Sequence, residues 1–357
     1  MVPISTAGYL VGLIPGILAI AGNLAGGRWT LCTTALVIGL VVVDWLFKDS
    51  NKSKADTSSV TPNLVLVLHV IVQTSAIGSL YWVIASGRLT GGRIDDAALS
   101  TGLNSGISGI VVAHELIHRR RRAWRLAGIW NLLWVNYAHF YIEHVQGHHK
   151  YVATPQDPST ARQGESIYYY LIRTIPQQWI CALRIEAKRL GNAGRWRYSL
   201  ANFVVFSTLL QILIAAMIYG FFGTPLLAAH LRQGVIAILF LQVVNYLQHY
   251  GLTRQPGMKI EPAHSWQSDR ISSRFLLLEL PRHADHHCRS LRPFHLLASL
   301  PDGPVLPAGL FGTAPLVLIP PLWTWIASRL MAKHQAPQLA LPTPSTYRSI
   351  TSMARSG

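Results

Sequence analysis

The sequence predicts an all-α integral membrane protein with six transmembrane helices and a histidine-rich, two-metal site gathered on one side of the bilayer. Three observations predict it. Half of the 357 residues are hydrophobic and 13% are charged, giving a mean hydropathy of +0.29. The apolar residues fall into blocks near the ~20 residues that a ~30 Å hydrocarbon core requires, over 7–24, 28–47, 62–85, 97–118, 200–222 and 233–250. Nine of the fifteen histidines lie in four short clusters, His114 and His118, His144, His148 and His149, His249, and His283, His286 and His287.

The first block lacks a basic leader and a small-residue cleavage site, so it reads as a retained span. With the N-terminus inside, every Lys and Arg except Arg28, Arg88, Arg93 and Arg232 falls on the inner side, and Arg119 to Arg122 sit directly at a span end. The formal charge of +16 therefore follows the positive-inside rule rather than marking a nucleic-acid binder. Cys32, Cys181 and Cys288 are too far apart in sequence for a CxxC zinc or iron centre and supply no disulfide framework. Any electrons the chemistry needs come from another protein.

Parity then groups the histidines. The fourth and sixth spans both end inside, which brings His118 and His249 to the cytoplasmic face together with the cluster at 283–287. His144 to His149 share that side only if the apolar stretch 124–142 does not cross. It is expected as a re-entrant or interfacial helix, tolerated where protein packs around it. The segment 176–190 reads as an amphipathic surface helix. The stretch 304–331 is apolar but interrupted by five prolines, and reads as a shallow hairpin rather than a seventh span. The membrane-embedded domain is thus expected over 1–333. Residues 334–357, rich in Pro, Ser, Thr and Gln without periodicity, read as a disordered tail.

In HELIH, the imidazoles of His114 and His118 lie four residues apart and share one helical face. The pattern also matches the HExxH of zinc peptidases, with Glu115 as general base. That rival reading uses one zinc and leaves most of the other seven clustered histidines unemployed. A metal transporter, the third reading, calls for donors on both sides of the membrane. Nine donors exceed the four of a tetrahedral zinc, which favours two metals. Glu143-His144-Val145-Gln146-Gly147-His148-His149 adds three donors around a glycine bend, and His283-Ala284-Asp285-His286-His287 adds three more. Glu115, Glu143 and Asp285 are natural partners for the remaining ring N–H groups. His249, at a span end, reads from position alone either as a packing residue or as a ligand.

The strings HELIHR, EHVQGHHKYVATPQDP, NYLQHYGLTR and RHADHH resemble those of the membrane di-iron alkane 1-monooxygenases and the related xylene monooxygenase hydroxylase subunit, over about Asp44 to Leu306. The resemblance implies a fatty acid desaturase/hydroxylase-like fold with a cytoplasmic-side di-iron site. It implies that all nine clustered histidines, His249 included, bind two non-haem irons. Asn245, in the NYLQHYG string, and His264, in the matching HSW string, are expected beside the ligands. The implied reaction is O2-dependent hydroxylation of a terminal or benzylic methyl group, an alkane-like hydrocarbon first. A xylene- or cymene-type methyl hydroxylase and a fatty-acyl desaturase are the alternatives. The HxxxHH spacing of the second box favours hydroxylation over desaturation. The implied electron donor is a rubredoxin or ferredoxin with its NAD(P)H reductase. The basic residues Arg119 to Arg122, Lys150, Arg282 and Arg289 are candidates to receive it or to meet lipid headgroups. The expected location is the bacterial cytoplasmic membrane.

Overall fold

The computed structural model describes residues 6–47, 49–50 and 60–339. Apart from two isolated bridges, the described residues form helices and loops. A 3-10 stretch, Thr6–Leu13, leads into α1 (Ile14–Ala25), followed by α2 (Cys32–Leu46) and α3 (Val60–Ala85). Next come α4 (Gly92–Asn104), a π-helical stretch Ser105–Ile110, and α5 (Val111–Ile117), which together make one continuous helical rod. After α6 (Arg122–Trp134), the short α7 (Phe140–Ile142) runs through a second π stretch, Glu143–His148, into α8 (His149–Tyr151). The long helices α9 (Ile167–Asn192) and α10 (Phe203–His249) precede α11 (Ile271–Leu276), α12 (His283–Cys288), α13 (Leu310–Val317) and α14 (Pro320–Leu339).

Four helical stretches, Gly8–Ala25, Gly27–Leu46, Val60–Ala85 and Phe203–His249, are long and apolar enough to cross a membrane. Their outer faces carry large apolar side chains such as Ile38, Val60, Ile212 and Phe221, each more than half exposed, as a lipid-facing surface requires. The 47 residues of α10 are not one rod. At Gly223 the backbone leaves helical geometry (φ 75°, ψ −171°), a conformation that costs glycine little, and Pro225 then starts the returning arm. Thr208 accepts a hydrogen bond from Trp179 at 3.1 Å while Gln242 donates to the adjacent Gln178 at 2.8 Å. In an unbroken helix Thr208 and Gln242 would stand about 50 Å apart, so the arms 203–222 and 224–249 fold back on each other.

The rod from α4 to α5 packs against α1, α2, α3 and α10. Its small residues allow the approach. A Cβ on Gly102 would come within 2.8 Å of the Gln233 carbonyl, and one on Gly106 within 2.8 Å of the Phe240 ring. Small residues at a helix contact are the usual means of close packing in lipid. Buried polar side chains on this rod bond those of α3 and α10. Gln73 donates to Ser105, Ser105 to Gln233, and Asn104 to Gln73. This polarity explains why 97–118, expected as a span on composition, is absent from the four most apolar helices.

The structure adjusts several expectations for the stretches outside the most apolar spans. The stretch 124–142 is a 13-residue helix and a separate short turn, α6 and α7. At about 20 Å, α6 is too short to cross, and it folds against α5. The helix expected at 176–190 begins nine residues earlier, because Ser166 caps it by accepting from the Tyr169 N–H and Pro176 is absorbed within it. The region 304–331 is two helices, α13 and α14, joined at a proline pair. Helix α14 extends to Leu339, into the stretch expected to be disordered; the remainder of that stretch, 340–357, lies outside the described residues.

Candidate metal centre

The nine clustered histidines meet in two sets. His114, His118, His144, His149 and His286 form one, and His148, His249, His283 and His287 the other, with the ligand atoms of each set within 4.8 Å of one another. All are buried except His149, which is partly so. No expected ligand is left out, and each set draws on at least three separate segments of the chain.

Local structure explains the convergence. On α5 the four-residue offset of His114 and His118 puts both rings on one face, 5.3 Å apart between centroids. The second box has a five-residue offset, from His144 to His149, which an α-helix would rotate away. Here the backbone is π-helical, and the His149 N–H reaches back to the His144 carbonyl. An i→i+5 turn brings the two rings together edge to face, 4.6 Å apart between centroids, with their Nε2 atoms 3.0 Å apart. Gly147 permits the turn to sit against α9, since a Cβ there would come within 3.2 Å of Ile185 and 3.4 Å of Cys181. The last box stands on α12, which follows a turn where Leu278 (φ 47°) and Glu279 (φ 59°) occupy the left-handed region, uncommon for residues other than glycine. The buried Arg274 holds that turn by a two-pronged bond to Glu279, at 2.6 and 2.9 Å. Gln248 donates to the Leu280 carbonyl at 3.1 Å, which ties the end of α10, and with it His249, to the segment carrying His283.

The donors fit metal ions. In the first set, Nε2 of His144 lies 3.1 Å from that of His118, and His149 lies 3.0 Å from His286. In the second, Nε2 of His283 lies 3.1 Å from that of His249 and 3.0 Å from that of His287. Two nitrogens bound cis at ~2.1 Å stand about 3.0 Å apart, against about 3.4 Å in a tetrahedron. The Nε2 atoms of His114 and His148 have no hydrogen-bond partner despite full burial, a costly arrangement unless a cation receives them.

One outer partner escaped the sequence reading. Asp157 accepts from Nδ1 of His148 at 2.9 Å and is itself held by Thr160 at 2.6 Å and by the Ser159 N–H at 3.0 Å. Burial alone would raise its pKa, yet the adjacent His148 and the hydrogen bonds from His148 and Thr160 bring it below the ordinary carboxylate value. This is the carboxylate–histidine arrangement that fixes a ligand's tautomer. The signal was present, since acids are scarce in this chain and Asp157 stands in the TPQDP string.

The residues expected as outer partners have the following surroundings. Glu115 is bound by Arg119 at 2.6 Å and by the Phe294 N–H at 3.4 Å, both through one carboxylate oxygen. Asp285 is held by Arg289, Arg292 and the Ala298 N–H. His264 turns its Nδ1 to the Glu261 N–H of its own turn, at 2.9 Å. Asn245 lines a narrow cleft with His114 and His283. Glu143, fully buried, accepts from Ser159 at 3.2 Å. Burial, with Asp157 nearby, pushes its pKa up to about 8 against the pull of His148.

The cleft beside Asn245 opens between the π stretch Ser105–Ile110 and the second arm of α10. Its walls include Gly106, Ile110, Phe240 and Val244, and His114 and His283 at its end belong to different sets. The cleft is nearly closed, at about 10 Å³, and marks where the two sets approach each other.

A helical membrane scaffold with such histidine boxes defines the class of desaturase-like membrane enzymes, and residues 97–335 match the fatty acid desaturase family model. The chain belongs to this family and, within it, to the alkane 1-monooxygenase branch of oxidoreductases. It is 35% identical to alkane 1-monooxygenase 1 of Pseudomonas aeruginosa over 316 residues, covering 83% of this chain and 81% of that protein. Identity to alkane 1-monooxygenase of Ectopseudomonas oleovorans is 36% over 247 residues, 67% of this chain and 61% of that one. The hydroxylase component of xylene/toluene monooxygenase from Pseudomonas putida is 30% identical over 333 residues, 90% and 85% of the respective chains.

Proposed function

We propose that this chain hydroxylates a terminal or benzylic methyl group of a hydrophobic substrate, an alkane-like hydrocarbon first, using O2 and electrons from a separate redox protein. The carrying observation is the division of nine imidazoles into a set of five and a set of four. Imidazole suits iron, and five donors exceed a tetrahedral zinc site. We read both ions as non-haem iron, bound by His114, His118, His144, His149 and His286 and by His148, His249, His283 and His287. When bound, the irons supply the oxidising power for C–H cleavage. The relatives named for alkanes and for xylene/toluene support a hydrocarbon substrate.

The chain's own residues do the rest. Helix 92–117 and the two arms of α10 complete six crossings, with the N-terminus and the histidines on the cytoplasmic side of the inner membrane. The basic loops support that orientation. The apolar cleft, nearly closed at about 10 Å³, widens to take the methyl end of a substrate dissolved in the bilayer, presents it to the gap between the sets, and excludes water. Asp157 keeps His148 in the tautomer whose free Nε2 points inward.

Whole cells expressing the chain with a matched electron-transfer pair, fed mixed alkanes, methylarenes and fatty acids, test the reading by product chromatography. Primary alcohols are expected; absence of any hydroxylated product would overturn it. The cleft makes a sharper prediction. Phe240→Ala removes the ring that abuts Gly106 and is expected to shift the product ratio toward longer or bulkier substrates about tenfold, within the range that one pocket contact commands. An unchanged ratio in competition assays would show that the substrate does not pass this ring.

A further inference from the structure

The chemistry needs electrons, and the three cysteines offer no redox centre, so another protein must bring them to the histidines. We propose that the groove between the loop 153–163 and one face of α9 is the docking surface for a small, acidic, one-electron carrier protein. The inference rests on the monooxygenase reading above and names its partner site.

Positions 173, 177, 180, 181, 184, 185 and 188 line one wall at helical spacing, and residues 153–158 and 160–163 with 251–253 form the other. The rim carries Arg162, Arg184 and Lys188, all exposed. No salt bridge or side-chain hydrogen bond to an acid engages these three among the described residues. The interior is less polar, with Ile180, Ile185 and Leu252 along it. An apolar centre inside a charged rim is the build of a transient protein interface, where the rim charges steer the encounter. Unpaired cations select an acidic partner.

What distinguishes this surface from the other basic ones is its floor. Asp157 lines the groove and bonds His148, a member of the four-histidine set, at 2.9 Å. Cys181, also in the groove, packs near Gly147 within the second histidine box. A carrier seated here is separated from a candidate ligand by one buried side chain. Several cations expected to receive the donor are neutralised instead: Arg119 by Glu115, Arg282 by Asp269 and Glu279, and Arg289 by Asp285. The reaction balances with two visits. Two reduced carriers are each oxidised by one electron, O2 takes both electrons and two protons, one oxygen enters the C–H bond, and the other leaves as water.

The test uses the full chain in phosphatidylcholine nanodiscs, with an acidic rubredoxin as the probe. In the variant Arg162→Glu/Arg184→Glu/Lys188→Glu, the Kd and KM for rubredoxin are expected to rise about tenfold or more and to lose their salt dependence. Iron content and dithionite-driven turnover are expected to stay at the unsubstituted level. An unmoved Kd overturns the proposal. So does a larger effect from Arg120→Glu/Arg121→Glu/Arg122→Glu, which would place the partner on the α6 side. Loss of binding to phosphatidylglycerol vesicles with an unchanged rubredoxin Kd would make the groove a headgroup site and overturn it equally. If the unsubstituted protein hydroxylates nothing even with dithionite, the functional reading fails, while the comparison of Kd values still decides the docking site.

Discussion

His249→Ala is expected to leave a folded protein that binds about one iron per chain instead of two and has lost at least a hundredfold in hydroxylation. His249 stands at the end of α10 with its Nε2 3.1 Å from that of His283. It belongs to the smaller set, so its loss leaves three donors. The five-histidine set shares no ligand with that set and is expected to keep its ion. Metal analysis of the purified variant, with Mössbauer spectra of isotopically enriched protein, reads the result directly. His230→Gln is the control. His230 is also a buried histidine of α10, but it bonds Tyr81 and Asn136 in the other direction along the arm, and its loss is expected to leave both ions in place. Two irons in His249→Ala, or equal loss in His230→Gln, would remove His249 from the ligands.

The contrast between those two histidines shows what the sequence could and could not tell. Spacing showed the pair at 114–118 as one helical face, and the bunching of histidines marked 144–149 and 283–287 without showing how their rings meet. His249 and His230 look alike by that measure, each alone in an apolar helix. Only the fold separates them, by carrying one to α12 and the other to α3. The division of the nine into five and four was likewise illegible, since it depends on how α5, the second π stretch, α10 and α12 cross. The apolar blocks 7–24, 28–47 and 62–85 were legible because lipid imposes one composition on them. The π stretches were not, as Ser105–Ile110 and Glu143–His148 carry no local mark that distinguishes them from α-helix. The hairpin in α10 lay between the two: the two spans were read from composition, but a ten-residue connection was expected where Gly223 turns the chain in a single residue.

Asp157 was missed for a related reason, and it carries the second large effect. Outer partners are expected inside the histidine boxes, where Glu115 and Asp285 instead bind arginines. The acid that touches a candidate ligand arrives from nine residues downstream, across the turn that follows α8. Asp157→Ala removes the acceptor for His148 Nδ1 while leaving the ring buried, so the four-histidine set is expected to lose about 10- to 100-fold in iron affinity, and turnover with it. Asp157→Asn keeps an acceptor oxygen near the same place and is expected to retain much of that affinity. The two variants separate a positioning role from simple filling of space. Chelator titration followed by iron counting is the measurement. One iron should leave Asp157→Ala early and the other at the unsubstituted concentration, because the five-histidine set has no contact with this carboxylate among the described hydrogen bonds. Simultaneous loss of both ions would mean that Asp157 braces the whole site. Unchanged release in the Ala variant would mean that His148 is held without it, and the carboxylate would have no part in the centre.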